Sequence, residues 1–298
     1  MTHTFDPLDV VKLRPLTDRA SGRPEIAVGL IDGPVFLTHP DLVGQNIQEI
    51  PRGIRGMCAR ANSAACLHGT FVAGSLCAQR GSAALSICPG CTLLVRPIYP
   101  EANPTVSGMP SAIPEELAEA ILDCVDAGAC VLNLSSTLTE SSSRGSRNVG
   151  LALDYAASRG VIAVAAAGNE GLIGSSVITR HPAVIPVAAC DLRGQPLSRT
   201  NLGRSIGQRG LMAPGIGIAS LGTNGRPQTS GGTSTAAPFV TGTIALLWSE
   251  FPRADANRVR SAVLHAGSSR RRTITPPLLD AWAAYQTLSS AGAGGELE

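Results

Sequence analysis

A chain of 298 residues with 44% hydrophobic and 15% charged side chains can bury a large core, which excludes a disordered polyelectrolyte. Its 24 basic and 22 acidic residues leave a net charge of +2, too little to imply a nucleic-acid or anionic-membrane partner. No apolar run reaches the roughly 18 residues of a membrane span, and the N-terminal stretch has no apolar signal core, so the expectation is a cytoplasmic protein.

Residues 1–24 read as an N-terminal extension. Residues 25–32 (EIAVGLID) form a short apolar run, a buried strand that delivers Asp32 at its C-terminal end. Small and apolar residues at helical spacing predict a helix over 68–79, with His68 at its start. A strand over 92–99 follows the turn CPGC. Residues 114–129 predict a helix: Pro114 suits its first position, acidic residues fill its first turn and Gly128 suits its stop. A strand over 130–135, a helix over 146–160 and strands over 161–168 and 184–190 come next. Residues 234–251 form a helix that is apolar nearly all round, hence central and buried. Helices near 255–266 and 278–288 close the folded part. Between them the basic cluster SSRRRT (268–273) reads as a solvated turn. Residues 289–298 read as a flexible tail, with Leu297 and Glu298 set aside as a cloning scar.

Strands alternating with helices imply an α/β domain over 25–288, with a mostly parallel sheet covered by helices on both faces. Such sheets bind ligands at the carboxyl ends of their strands. Asp32, Ser135 and Asn169 fall at or just after those ends, and helices starting near His68 and Ser234 add their N-termini.

Ser234 at a helix start reads as a cap or, with Gly231 and Gly232 permitting close backbone approach, as a nucleophile. His68 is then the natural base, and Asp32 the group that fixes its tautomer and stabilises the imidazolium. Asn169, between glycines after an apolar strand, reads as a turn residue or as a donor to a developing oxyanion.

Four blocks, LIDGPVFLTHPDL, HGTFVAG, AAAGNEG and GGTSTAAPFVTG, stand in order across residues 30–242 and together resemble the subtilisin-type serine peptidases. Asp, His, Ser is the subtilisin order. The resemblance implies a subtilisin-like three-layer fold and an acyl-enzyme mechanism without a cofactor or metal. It makes Asp32 the triad acid, His68 the base, Ser234 the nucleophile and Asn169 the oxyanion donor. It also implies a peptide substrate laid along Leu134, Ser135 and Ser136, in a pocket formed with Ala166, Ala167, Gly168, Glu170 and Thr233. Glu170, at the expected pocket rim, reads as a selector of basic side chains or as a plain solvated Glu. The sequence departs from the family at Gly33-Pro34, Phe71, Thr235, Phe239 and Thr137, none of them a triad position.

The strand ends, the segment CPGCTLLVRPIY and the lack of a long propeptide resemble the PatA/PatG-type proteases of cyanobactin maturation. That implies a ribosomally made, modified precursor peptide as substrate, and either hydrolysis or macrocyclisation as reaction. Only 35 residues separate Asp32 from His68, without a strong amphipathic helix to form a lid, so water reaches the acyl-enzyme and hydrolysis is favoured. A general intracellular subtilisin and a peptide-binding pseudoprotease are the other readings.

Eight cysteines in a signal-less chain of this size are expected as reduced thiols. Cys88 and Cys91 of CPGC read as part of a turn, with a disulfide or a metal as alternatives, and Cys66 reads as a packing residue or half of a disulfide. His39 and Asp41 read as structural. The loop AQRGSAALSICPG lacks the Asn and Asp of a calcium site, and His3, His181 and His265 carry no acid or nucleophile context.

Overall fold

The computed structural model describes residues 6–101, 111–135, 143–266 and 273–293. The first part of the chain runs α1 (Pro7–Val10), α2 (Arg14–Arg19), β1 (Ala27–Ile31), β2 (Ile47–Glu49), α3 (Ala64–Cys77) and β3 (Thr92–Val95). Then come α4 (Pro114–Asp126), β4 (Val131–Leu134), α5 (Ser143–Ser158), β5 (Ile162–Ala166), α6 (Val177–Arg180), β6 (Val184–Cys190), α7 (Arg204–Arg209) and β7 (Leu211–Pro214). A hairpin of β8 (Ile218–Leu221) and β9 (Pro227–Ser230) leads into α8 (Thr233–Glu250), α9 (Ala256–His265) and α10 (Ala281–Ala293).

Seven strands form one sheet in the order β2-β3-β1-β4-β5-β6-β7, and every pairing is parallel. The central strands are buried along their whole length, which explains their continuous rather than alternating apolar sequence. Successive side chains still face opposite layers. On β4, Val131 joins the core under α3 and α8, and Leu132 and Leu134 join the core under α4 and α5. Asn133 turns toward α8, where Thr241 Oγ1 donates to its Oδ1 at 2.8 Å. Helix α8 packs across β4, β5, β6 and β7, as its all-round apolar sequence requires. Pro238 inside it removes only the donor that would meet the Ser234 carbonyl, one turn from the helix start.

Several expectations are revised. Helix α3 starts at Ala64 rather than at His68, because Ser63 caps it by accepting from Cys66 N–H at 3.1 Å. His68 therefore stands in the second turn. The extension before residue 25 contributes Val11, Leu13 and Leu16, all fully buried, to the core under α8. Helix α10 runs to Ala293, five residues into the expected tail. Strand β3 ends at Val95 rather than 99, just ahead of Arg96-Pro97. The elements absent from the sequence reading, α1, α2, β2, α6, α7, β7, β8 and β9, are three to six residues long, too short to show a period. No helix among the described residues is long and apolar enough to cross a membrane. Residues 268–272, Leu297, Glu298 and His3 lie outside the described residues.

Candidate active site

Asp32 leaves the end of β1 with no solvent exposure. Its Oδ1 accepts from Gly33 N–H and from His68 Nδ1, each at 2.6 Å. Its Oδ2 has no hydrogen-bond partner among the described residues. The meeting depends on two glycines. A Cβ on Gly33 would stand 2.0 Å from the Ala65 carbonyl oxygen, and one on Gly69 would stand 2.3 Å from that of Gly33. Helix α3 thus lies directly on the turn after β1.

The other ring nitrogen, Nε2, is 2.8 Å from Ser234 Oγ. Ser234 is the second residue of α8 and follows Gly231-Gly232. Gly232 has φ +118°, and a Cβ there would stand 2.9 Å from Asn169 Oδ1. A side chain at 232 would be both strained and obstructed.

Burial of the His68 ring works against its charged form, but the Asp32 charge and hydrogen bond outweigh that and hold its pKa above the usual 6.5. The Asp32 carboxylate accepts, so Nδ1 carries the proton and a neutral ring presents Nε2 as acceptor to the Ser234 hydroxyl. The arrangement can move a proton from Ser234 Oγ to His68.

Asn169 follows β5 through Gly168, which has φ +107°. Its Oδ1 accepts from Thr233 N–H at 2.8 Å, leaving the Nδ2 hydrogens as donors beside the start of α8. Thr233, fully buried, also accepts from Gly168 N–H at 3.1 Å. Asn201, which the sequence did not single out, frames this loop. It donates to Glu170 Oε2 at 2.6 Å and to the Ala167 carbonyl, and accepts from Glu170 and Leu172 N–H. Its Asn in SRTNLG carries no motif that would have revealed it.

The expected substrate-lining residues fall into three groups. Ala166, Gly168 and Glu170 are accessible beside Asn169. Leu134, Ser135, Ala167 and Thr233 are buried. Ser135 is tied inward, its carbonyl accepting from Tyr99 Oη at 2.9 Å and its Oγ from Asn133 Nδ2 at 3.2 Å. Ser136 and Thr137 lie outside the described residues. Phe71, Thr235 and Phe239, where the sequence departs from the family, are buried in the packing of α3 and α8.

The expectation of reduced thiols is corrected at one pair: Cys58 and Cys66 form a disulfide with a Cα–Cα distance of 5.7 Å. Cys88 and Cys91 are free, and Cys91 N–H donates to the Cys88 carbonyl, closing CPGC as a turn. Asp41 N–H donates to His39 Nδ1, and the Asp41 carbonyl accepts from Gln79 N–H. His181, expected to lack an acid, has Nε2 at 3.2 Å from Asp154 Oδ1.

The sequence profile of the subtilase family matches residues 23–284. Fervidolysin of Fervidobacterium pennivorans is 32% identical over 281 residues, covering 82% of this chain and 37% of fervidolysin, so the chain spans little more than a third of that relative. Among solved structures, a serine-to-alanine mutant of the protease domain of PatA superposes with a TM-score of 0.81 at 30% identity, covering 91% of this chain and 98% of that domain. The prenylagaramide maturation protease PagA superposes with a TM-score of 0.77 at 28% identity, covering 93% and 98%. With the family match spanning all four sequence blocks, the chain belongs to the subtilase family.

Proposed function

We propose that the protein is a serine endopeptidase with Ser234 as nucleophile, His68 as general base and acid, and Asp32 as the group that orients and stabilises the imidazolium. The observation that carries this reading is the unbroken line from Asp32 Oδ1 to His68 Nδ1 at 2.6 Å and from His68 Nε2 to Ser234 Oγ at 2.8 Å. In the reaction, Oγ bonds to the scissile carbonyl carbon and its proton passes to Nε2. The carbonyl oxygen, now negative, is met by Asn169 Nδ2 and by the Ser234 N–H at the start of α8. The C–N bond breaks as Nε2 returns the proton to the leaving amine, and water repeats the sequence on the acyl-enzyme. No cofactor enters. The peptidase domain is assigned to 25–288, with the extension 1–24 packing Val11, Leu13 and Leu16 into its core and α10 continuing past 288 to Ala293.

The substrate is a peptide, bound in extended form by strand addition along Ser135 and Ser136 and beside Ala166, Gly168 and Glu170. We assign it to the ribosomally made precursor peptides, because PatA and PagA, the latter a maturation protease by name, resemble this chain over nearly its whole length. Hydrolysis is preferred to macrocyclisation because the residues between Asp32 and Ser63 form only turns, bridges and β2, with no helix to cap the site. Incubating the protein with a precursor peptide tests the assignment. Linear fragments and fluorophosphonate labelling of Ser234 are expected. A product lighter by one water would mean cyclisation, and a folded protein that takes no label would exclude the peptidase.

A further inference from the structure

The Cys58–Cys66 disulfide joins an irregular loop to the helix that carries His68. Cys66 is the third residue of α3, two before His68, and is fully buried. Cys58 is half-exposed. The loop between Pro51 and Asn62 has no regular structure beyond a bridge from Met57 to Val35. Its other anchors are polar contacts. Glu101 accepts from Ala59 N–H at 2.7 Å, Arg60 N–H at 2.8 Å and Ser63 Oγ at 3.1 Å, and Thr223 Oγ1 donates to the Ala61 carbonyl at 2.5 Å. Segments held by solvent-facing polar contacts open locally at low cost. The disulfide is the covalent tie that prevents this beside the site.

The remaining thiols are poor redox targets in the folded protein. Cys77, Cys88, Cys91, Cys124 and Cys190 are buried. Burial pushes the Cys124 and Cys190 thiols up to about 12 and Cys77 still higher, and Cys91, lowered by its hydrogen bond with Cys88, is enclosed away from solvent. Cys130 is partly accessible but precedes β4, at the end of the sheet away from Asp32. A reductant acts on disulfides, and Cys58 is the accessible sulfur of the one disulfide among the described residues.

We propose that Cys58–Cys66 is a reversible thiol–disulfide switch on peptide binding. The proposal rests on the peptidase reading. A dithiol reductant, small or protein-borne, attacks Cys58 Sγ as a thiolate and Cys66 Sγ leaves. The second thiol of the reductant resolves the mixed disulfide. Two electrons and two protons pass to the cysteine pair, and the reductant becomes a disulfide. The oxidised form holds the loop against the first turn of α3, two residues before His68. The reduced form frees the loop while Asp32, His68 and Ser234, which do not depend on it, stay aligned. Reduction should therefore raise KM for an extended peptide and leave kcat for a small activated ester unchanged.

The test compares oxidised and dithiol-treated protein, with thiol counts confirming reduction, on a peptide spanning both sides of the scissile bond and on a p-nitrophenyl ester. A KM at least about fivefold higher for the peptide on reduction is expected, the lower end of ordinary coupling between sites. The double variant Cys58→Ser with Cys66→Ser should behave as the reduced form whether or not dithiol is present, and its thermal melt verifies folding. Equal KM before and after complete reduction would overturn the proposal. So would a dithiol effect that persists in the double variant. Fluorescence anisotropy of the same peptide, read without turnover, tests the switch separately from the peptidase reading. Failure of fluorophosphonate to label oxidised protein would sink that reading alone.

Discussion

Gly69 rests on Gly33: a Cβ on Gly69 would stand 2.3 Å from the Gly33 carbonyl oxygen and 2.4 Å from that of Pro34. This backbone-to-helix contact sets how closely α3 approaches the end of β1, and so fixes the 2.6 Å separation of His68 Nδ1 and Asp32 Oδ1. Gly69→Ala should push the helix away, because both obstructing atoms are backbone. A displacement near 1 Å in a catalytic constellation costs about 10²-fold. Stopped assays on a chromogenic peptide should show kcat/KM falling by about that factor in a protein that still melts cooperatively. Retention of full activity would mean that α3 does not depend on this contact.

Protonation of His68 gives the next prediction. Burial lowers its pKa, and the Asp32 charge and hydrogen bond raise it by more, so the net shift is upward from 6.5. The neutral ring is the base, so the acid limb of kcat/KM should have its midpoint above 6.5. The same shift makes the imidazolium a stabilising group. Its contribution is complete below the unfolded-state value and disappears as pH rises through the folded one. Asp32→Asn removes the raising cause and leaves burial, so the limb should move below 6.5 while turnover falls by about 10⁴. A pH–rate profile of both proteins checks the sign, and a limb that stays in place in the variant would refute the cause.

Asp32, Asn169 and Ser234 could be read in the sequence because each stands at or just after the end of an apolar run or at the start of an apolar helix, and His68 because the block HGTFVAG resembles that of the subtilisin-type peptidases, although it stands in the second turn of α3. The central strands were readable as continuous apolar runs, and α4, α5 and α8 by their length and composition. What could not be read depends on contacts between distant segments. Asn201 acts on a loop some thirty residues away. The pairing of Cys58 with Cys66 needs the loop to fold back on α3, which no spacing rule states. The start of α3 was misplaced because the small residues of SAAC show little apolar contrast, and the cap at Ser63 decided it.

Asn169 and Asn201 should separate in their effects. Asn169→Ala removes the side-chain donor and should lower kcat by about 10²–10³ with KM little changed. Asn201→Ala leaves that donor present but removes the four contacts that frame residues 167–172. Its main effect should be a higher KM for peptides, since Ala166, Gly168 and Glu170 lose their support. Steady-state kinetics on one peptide distinguishes the two. An Asn201→Ala protein with unchanged KM would remove it from the binding frame.

Arg96 offers a stability test remote from the chemistry. Its guanidinium is fully buried, with Nε on Asp123 Oδ2 at 2.9 Å and Nη1 on Glu116 Oε1 at 2.7 Å and on the Pro97 carbonyl at 2.8 Å. Arg52 reaches the other Asp123 oxygen at 3.0 Å but is itself 70% exposed, so it cannot replace the buried charge. Arg96→Met would leave Asp123 buried and short of its partner, and breaking a buried pair in this way costs about 3–5 kcal/mol. The companion Arg52→Ala should cost under about 1 kcal/mol, the value of an exposed pair. Urea unfolding of the two variants should show that contrast. Equal losses would mean that Asp123 finds enough compensation in water and that Arg96 is not the element joining β3 to α4.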